Sequence, residues 1–160
     1  ITQNVKGALR RAQVVITVTS SGGNIIQPEY LAPGCVVCDV ARPRDVSRKV
    51  AAVRNDVLVI EGGLVQVPGP VVSSLRMGYP PDVTLACMAE TMILTLEHRL
   101  ESFTLGRELT LEKVEEIYKM GKKHGFKLAG LRSFERPVSE EEIRGIRDAA
   151  IGTVREAGIG

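Results

Sequence analysis

The chain of 160 residues is long enough for one domain with a hydrophobic core, and its 44% hydrophobic and 25% charged residues are ordinary for a globular protein. Its 21 basic and 19 acidic residues give a net charge of +2, and the basic residues are scattered without interleaved aromatic side chains, which argues against nucleic acid as the main partner. No apolar stretch approaches the roughly 20 residues of a membrane span, no signal peptide pattern is present, and three cysteines make no disulfide framework, so we expect a cytoplasmic protein.

The first half of the chain predicts a parallel β-sheet. A short helical pattern, NVKGALRRA, precedes the apolar run QVVITVTSS, and PEYLAPG indicates a helical turn or loop before the strand CVVCDVA. DVLVIEGGLVQV is predicted to be a strand that two glycines interrupt. Near-continuous runs of valine and isoleucine are typical of strands buried on both faces of a parallel sheet, so the predicted fold class is α/β.

From about residue 82 the spacing of the apolar residues becomes helical. Asp82 follows two prolines and is predicted to cap a helix over about residues 83–100. A second helix is expected to start near Thr110 and to end at KKHGF, where Gly125 terminates it. A third is expected to start at Ser139 with the capping-box pattern S-x-x-E, and the stretch LAGLRSFERPVS before it is predicted to be a loop.

Small and polar residues follow two of the predicted strands. Thr19, Ser20 and Ser21 come directly after the first strand, at the edge where ligands bind in an open α/β sheet, so they are candidate cofactor contacts. A plain turn would have the same composition. Gly62 and Gly63 offer backbone without side chains, which suits the close approach of a planar ring, and a bulge or tight bend is the alternative.

The phosphate-binding fingerprint of dinucleotide folds, G-x-G-x-x-G, is absent from this sequence. Its glycines normally let a pyrophosphate approach the N-terminus of the first helix. If the predicted strands belong to a doubly wound sheet, we therefore expect the first mononucleotide-binding half to lie upstream of Ile1. The chain would then contain the later strands.

The three cysteines lead to different expectations. Cys35 and Cys38 form C-x-x-C within a β-rich run, where residues three apart face opposite sides, and no second pair completes a zinc site, so we predict core packing and no metal. Cys87 lies in the helical run TLACMAETMIL, with Glu90 one turn later. These residues alone favour a buried and therefore inert thiol at Cys87, although Glu90 could relay a proton or hold a water molecule.

A longer set of motifs changes the interpretation of Cys87. CMAETMILTLEHRLESFTLGRELTLEKVEEI, followed by KKHGF, resembles the C-terminal part of the long-chain acyl-[acyl-carrier-protein] reductases, which form fatty aldehydes. In that family a helix of the pattern C-[FML]-A-E-[AST]-M-L-L follows a Rossmann sheet, and then come an aromatic-x-x-G-R stretch, here FTLGR, and a helix ending in K-H-G-F. Upstream, AQVVITVTSSGGNIIQPEYLAPGCVVCDVARPRDVSRKV and VLVIEGGLV resemble the family's later Rossmann strands, so the resemblance covers roughly residues 4–128.

The resemblance implies an NADP-dependent acyl-thioester reductase. The acyl group of an acyl carrier protein or acyl-CoA would pass to Cys87, with Glu90 assisting, and NADPH would reduce the thioester to an aldehyde. The polar residues of TSSGGN and the glycines of EGGLV would lie near the nicotinamide. A partial Rossmann-like domain is expected over residues 1–81, and a helical region over residues 82–160 would pack on it. The isolated chain is expected to be incomplete, to bind NADPH weakly and to be inactive.

The chain also departs from the family pattern. The loop DVARPRD replaces DGGYPKN of the cyanobacterial enzymes and is interpreted as a solvated loop, and the tail from about Leu131 extends beyond the pattern. Two alternatives stay open. One is a Rossmann oxidoreductase of the shikimate or amino-acid dehydrogenase type, with Cys87 only in the core, and the other is a non-catalytic interaction module.

The expected absence of the first half of the sheet has a consequence for association. The first strand would be left with unpaired backbone groups and an apolar edge, a surface that readily pairs with another chain. We therefore expect a homo-oligomer. The edge would be formed by Val14, Val15, Ile16 and Val18.

Overall fold

The computed structural model of the chain describes residues 1–72, 77–106 and 109–156, without the side chains of residues 153–156. It divides into two compact units. The parallel-sheet unit consists of Ile1–Gly62 and Leu131–Gly160, and the helix-pair unit consists of Gly63–Gly130. This division differs from the expected boundary after residue 81, because the second unit begins at Gly63 and the tail returns to the first unit.

Three parallel strands form the centre of the parallel-sheet unit, and they confirm the α/β class. They are β1 (Val14–Thr17), β2 (Val36–Asp39) and β3 (Leu58–Glu61), hydrogen-bonded in the order β1-β2-β3. Each strand occurs where an apolar run was predicted. The two glycines that follow β3 separate it from a strand of the other unit, so the predicted interrupted strand is two strands in two sheets.

Short helices connect the three strands. Helix α1 (Val5–Leu9) precedes β1, a 3-10 turn (Pro28–Tyr30) lies before β2, and α2 (Arg48–Val53) lies between β2 and β3. Sequence reasoning missed α2, which has only six residues and is capped by the Ser47 hydroxyl, which accepts a hydrogen bond from a first-turn amide. Such a helix depends on tertiary contacts more than on its own propensity.

The core of this unit lies against one face of the sheet. Cys35 belongs to it and is fully buried, as predicted, and burial raises the pKa of this thiol to about 11. Cys38 is half-buried. The apolar side chains of the core are Leu9, Ile26, Leu31, Cys35, Val37, Val46, Val50, Val57 and Val59.

Strand β1 has a different environment from the one expected. It pairs only with β2 among the described residues, so it is an edge strand. Val14, Ile16 and Val18 are 67%, 70% and 68% exposed, whereas Thr17 between them is buried. The prediction that this strand is buried on both faces is therefore wrong: the described core covers only one face.

The tail forms a β-hairpin and a helix. Strands β7 (Arg132–Ser133) and β8 (Arg136–Pro137) pair in antiparallel fashion, and helix α5 (Glu140–Glu156) follows. The prediction of a loop over this stretch is wrong, because the two residues of the turn between the strands both adopt positive φ, which their side chains do not signal. The predicted cap of the last helix is confirmed, since the Ser139 hydroxyl accepts a hydrogen bond from a first-turn amide at 3.1 Å.

The helix-pair unit contains three antiparallel strands and two helices. Strands β4 (Leu64–Gln66), β5 (Val83–Leu85) and β6 (Lys127–Leu128) lie in the order β5-β4-β6. Helices α3 (Ala86–Leu96) and α4 (Leu111–Lys123) supply most of the core. The buried apolar side chains of this unit's main cluster are Ala89, Ile93, Leu94, Phe103, Met120 and Phe126.

Helix α3 is shorter than predicted. Asp82 does not cap it; its carboxylate accepts a hydrogen bond from the Gln66 amide at 2.8 Å, and residues 83–85 pair with β4 instead of forming the first turn. The helix ends at Leu96, and His98 has a φ of 56°. Pairing with a strand distant in sequence thus overrides the local capping pattern.

Helix α4 forms as predicted. The Thr110 hydroxyl accepts the Lys113 backbone N–H at 3.3 Å, and Gly125 adopts a φ of 84° just beyond the C-terminus. Among the helices of the described residues, none is both long and apolar enough to cross a bilayer.

Candidate active-site residues in the two units

The carboxyl ends of the three parallel strands carry a row of polar side chains. Thr17, Asp39 and Glu61 are the last residues of their strands and lie in register with one another. All three are buried, and Asp39 is fully so. Ligands of parallel α/β sheets bind at the carboxyl ends of the strands, so the loops that follow these three residues are the candidate ligand site.

Asp45 connects the loop after β2 to the loop after β1. Its carboxylate is fully buried and accepts hydrogen bonds from the hydroxyls of Thr17, Thr19 and Ser21, the last two at 2.7 and 3.1 Å. It also accepts the Thr19 backbone N–H at 3.2 Å. Burial alone would raise the pKa of Asp45, but these hydrogen bonds outweigh burial and hold it below its usual value. We call these four residues the Asp45 cluster.

Backbone hydrogen bonds join the same two loops. The N–H of Asn24 donates to the carbonyl of Arg44, and the N–H of Ile26 donates to the carbonyl of Asp45, both at 2.9 Å. Gly23 lies so close to this second loop that an added Cβ would be 2.8 Å from the Arg44 carbonyl oxygen, and its φ of 96° also favours glycine. The loop after β1 is therefore held along its length by the loop after β2.

The loop DVARPRD is not a solvated loop, contrary to the interpretation from sequence. The Asp39 carboxylate accepts the backbone N–H groups of Ala41 and Val46 at 3.0 and 2.9 Å, so it closes the loop from inside. Asp39 and Asp45 are both 0% exposed. Neither carboxylate faces solvent: Asp39 binds the backbone of its own loop, and Asp45 binds the end of β1 and the loop that follows it.

A network of charged side chains covers the end of β3. The Glu61 carboxylate accepts hydrogen bonds from Arg44, at 2.8 Å to Nε, and from the backbone N–H of Glu135 at 2.8 Å. The Glu135 carboxylate in turn binds Arg44 at 2.6 Å and Arg48 at 2.8 Å. Both guanidinium groups lie within 6 Å of the centre of the Phe134 ring. The tail hairpin is thereby fastened to the carboxyl edge of the sheet.

Gly62 and Gly63 each have a structural reason to be glycine. A Cβ on Gly62 would be 2.6 Å from Cγ2 of Val40 and 3.1 Å from Sγ of Cys38. Gly63 has a φ of 71°, and its carbonyl accepts the Ala86 N–H at 2.8 Å. The tight bend that was the alternative to a cofactor contact accounts for both glycines without a ligand.

Cys87 is exposed, so the core position that the residue pattern alone favours is wrong. It is the second residue of α3, whose buried face is formed by Ala89, Ile93 and Leu94. Leu85 at the N-cap supplies no side-chain cap to the first turn. Backbone amides in the first turn of a helix lack intrahelical acceptors, and together with the helix dipole they favour negative charge at this position.

Glu90 is half-buried on the same helix and has a defined partner. Thr104, in the FTLGR stretch, places its hydroxyl oxygen 2.7 and 2.6 Å from the two carboxylate oxygens of Glu90. The hydroxyl donates its single proton to one of them at a time. The structure thus ties the FTLGR loop, up to Gly106, to the helix that carries Cys87; Arg107 lies outside the described residues.

A small apolar pocket also borders α3. Its volume is about 60 Å³. Met88 and Met92 of α3 form one side of it, and Val67, Tyr79 and Val83 are among the other lining residues. Methionine side chains adapt to irregular apolar ligands, so a pocket of this size is suited to a short apolar group.

Sequence reasoning identified Thr19, Ser21 and Glu90 but missed their partners, Asp45 for the first two and Thr104 for the third. It also missed Glu61 and Glu135, which fasten the tail hairpin to the sheet. One signal was available for Glu61, because each of the three parallel strands ends in a polar residue. No local signal distinguishes Asp45 from the neighbouring charges, since its partners lie 24 to 28 residues away in the chain.

Proteins of known name that are similar to this chain include the following two. One is named aminotransferase PigE, from Serratia sp.; it is 36% identical over 146 residues, which cover 89% of this chain and 17% of that protein. The other is named long-chain acyl-[acyl-carrier-protein] reductase, from Synechococcus elongatus; it is 31% identical over 128 residues, which cover 76% of this chain and 37% of that protein. No protein-family model matches the chain.

The two similarities concern largely the same residues. Each covers more than three quarters of the chain, so the two aligned stretches overlap, and a contiguous stretch of either size includes Asp45 and Cys87 wherever it begins. The chain nevertheless spans only a minor part of either relative.

Proposed function

We propose that this chain supplies the acyl-accepting cysteine and part of the cofactor edge of an NADPH-dependent acyl-thioester reductase that forms a fatty aldehyde. The observation that carries the proposal is the exposed Cys87 thiol in the first turn of α3, within the stretch similar to the reductase. The substrate would be a thioester of an acyl carrier protein or of coenzyme A. The three parallel strands would be the later strands of a Rossmann-like doubly wound sheet.

Cys87 accepts the acyl group in this proposal. Its thiolate attacks the carbonyl carbon of the substrate thioester, a new carbon–sulfur bond forms, and the bond to the carrier's sulfur breaks, so that the carrier leaves as a thiol after taking up a proton. The first turn of α3 favours the negative charge that this step requires at Cys87. The carbonyl carbon remains electrophilic in the enzyme thioester, which prepares it for reduction. The pocket lined by Met88 and Met92 is available to the carbon chain.

Glu90 is placed to organise this helix. Its hydrogen bond with Thr104 fixes the carboxylate, and its position one turn after Cys87 puts it near the same end of α3. We propose that it positions a water molecule or relays a proton during acyl transfer or aldehyde release. Glu90 would then affect turnover more than substrate affinity.

We propose that an anionic cofactor binds at the carboxyl edge of the parallel sheet. The carboxylates of Asp39, Asp45 and Glu61 are all buried, and donors of the protein itself already bind their oxygens. Ser20 is exposed, and Gly22, with a φ of 90°, has no atom within 4 Å of the position that a Cβ would occupy. In the proposed reaction NADPH would supply the hydride that converts the Cys87 thioester to aldehyde and thiolate.

The name of the Serratia relative suggests a different chemistry, but the lysines of this chain do not favour it. Aminotransferases use a lysine that forms a Schiff base with their cofactor, and such lysines are activated by desolvation. All seven lysines of this chain are described, six are exposed, and the half-buried Lys113 donates to the carbonyl of Phe103 at 2.8 Å. The alignment covers only 17% of that relative, so the aminotransferase activity in its name can reside in the rest of that protein.

Covalent labelling tests the proposal directly. The full-length product of the reading frame that encodes these residues is incubated with a long-chain acyl thioester without NADPH, and the intact mass and tryptic peptides are measured. We expect one acyl adduct at Cys87, absent from Cys87→Ala and retained by the matched control Cys38→Ala, in which a half-buried cysteine is removed. An unlabelled Cys87 would favour the dehydrogenase or interaction-module alternatives, which give this thiol no chemical role.

A further inference from the structure

We propose that Asp45 is the positioning residue of the cofactor loop, and that Ser20 and the backbone at Gly22, but not the hydroxyls of Thr19 and Ser21, face the ligand. This inference rests on the proposed function for the identity of the ligand, a nicotinamide dinucleotide phosphate. Its structural part, that Asp45 holds the loop of residues 18–25, is independent of that identity.

The Asp45 cluster uses the hydroxyl protons of Thr19 and Ser21. The Thr19 hydroxyl is 2.7 Å from one Asp45 oxygen and also accepts the Ser21 backbone N–H at 3.2 Å. The Ser21 hydroxyl is 3.1 Å from the same Asp45 oxygen. A hydroxyl has one proton to donate, so Thr19 and Ser21 have none left for a phosphate or a nicotinamide carboxamide while they bind Asp45.

Residues of the loop after β1 differ in whether they have hydrogen-bond partners. Thr19, Ser20 and Ser21 are all exposed, but Ser20, between the other two, makes no hydrogen bond to any described residue, whereas the hydroxyls of Thr19 and Ser21 bind Asp45. Gly22 is exposed and has open space on the side where a Cβ would project. The loop thus turns alternate side chains toward the buried carboxylate and leaves the residues between them free for a ligand.

The burial of Asp45 restricts the loop after β1. A buried carboxylate is costly unless its oxygens are satisfied, and here the hydroxyl and amide donors of the loop after β1 satisfy them. Moving the loop away would remove the Thr19 and Ser21 donors from this carboxylate. Asp45 therefore restricts the loop to one conformation before any ligand arrives, which lowers the entropy lost on binding.

The experiment compares amide exchange and cofactor affinity in the full-length protein. We expect Asp45→Asn to speed hydrogen exchange at the amides of residues 19–23 and to raise the Kd for NADPH by about tenfold or more. Asp56→Asn is the matched control, because Asp56 is paired with Arg54 just before β3, at the other end of the strand. It should change neither measurement at the loop.

Substitutions at the exposed loop residues keep the inference testable if Asp45→Asn fails to fold. Thr19→Val should reproduce the faster exchange and weaker binding, and Thr19→Ser should restore both, because serine keeps the hydroxyl. Ser20→Ala should weaken NADPH binding without altering exchange. Unchanged exchange in Asp45→Asn and Thr19→Val would overturn the inference, and so would unchanged NADPH affinity in variants whose loops have loosened. Failure of the parent protein to bind NADPH at all would instead refute the proposed cofactor, with the exchange data still deciding the role of Asp45.

Discussion

At the scale of single residues, the environment of a side chain decides what it can do chemically. Cys35 is fully buried, and its pKa is raised by burial to about 11, so it is an inert core thiol. Cys87 is exposed in the first turn of a helix, where developing negative charge is favoured. Cys35 is therefore inaccessible to a substrate, whereas Cys87 is accessible.

Replacing Cys87 tests its role in the reaction. Cys87→Ala and Cys87→Ser should each abolish aldehyde formation while the Kd for NADPH stays nearly unchanged, because the nucleophile is needed for acyl transfer and not for cofactor binding. Steady-state aldehyde production and fluorescence titration with NADPH measure the two quantities. Activity within a few-fold of the parent protein would refute the assignment.

The second residue-scale prediction concerns Glu90. Glu90→Gln should lower turnover by about 10²-fold, in the usual range for general acid–base assistance, with a small effect on the KM for the acyl thioester. Thr104→Val removes the partner of Glu90 but keeps its charge, so it serves as the control and should lower turnover less. A lower Tm with normal turnover in Glu90→Gln would make Glu90 a structural residue.

The ion pairs of Glu135 predict a dependence of stability on pH. Burial would raise the pKa of Glu135, but Arg48 and Arg44 outweigh burial and hold it below its usual value. A carboxylate with a lowered pKa in the folded state contributes stability above its unfolded pKa of about 4.5, and this contribution is lost as the pH falls through the folded value. Urea unfolding between pH 6 and 3 should therefore show acid destabilisation that is weaker in Glu135→Gln. An identical pH profile in the variant would contradict the assignment.

At the scale of helices and strands, sequence patterns found most elements but not all of their ends. The apolar runs located β1, β2 and β3, and Thr110 and Gly125 marked α4 correctly, because these signals are local. The start of α3 was misplaced because residues 83–85 pair with a strand elsewhere in the chain. Local patterns contain no information about such partners.

The candidate site shows the same limit. Cys87 and the loop after β1 could be named from the sequence, through a family resemblance and the position of the loop after a strand. Asp45 could not, because a charge between an arginine and a valine in a proline-containing loop has the composition of a solvated turn. Its burial depends on hydroxyls that the fold brings to it from another loop.

The bend between β3 and β4 gives an element-scale prediction. Gly62→Ala should lower the free energy of unfolding by about 1–3 kcal/mol, because its Cβ would collide with Val40 and Cys38. Gly145→Ala is the control: this glycine lies in the exposed part of α5 with nothing near its missing Cβ, and the change should raise stability by about 0.5–1 kcal/mol. A Gly62→Ala protein of parent stability that binds NADPH poorly would show that Gly62 serves the cofactor instead.

At the scale of the whole molecule, the edge strand β1 predicts association of the isolated 160-residue chain. Val14, Ile16 and Val18 are largely exposed next to a strand edge that lacks a partner among the described residues, and such edges pair with other chains. Light scattering at micromolar concentration should show oligomers, which Ile16→Lys disperses. Val53→Lys, on the exposed surface of α2, should leave the oligomers intact. A monodisperse monomer of the unsubstituted chain would contradict the prediction.

We propose that the acyl group on Cys87 is the species that becomes the aldehyde, and a single-turnover chase follows this conversion. The full-length protein is first acylated without NADPH and freed of unbound thioester; NADPH is then added, and the Cys87 adduct and the aldehyde are followed together by mass spectrometry. We expect the adduct to disappear at the rate at which aldehyde forms, and in equal amounts. An adduct that persists while NADPH is present, or aldehyde that forms while Cys87 remains fully acylated, would contradict it.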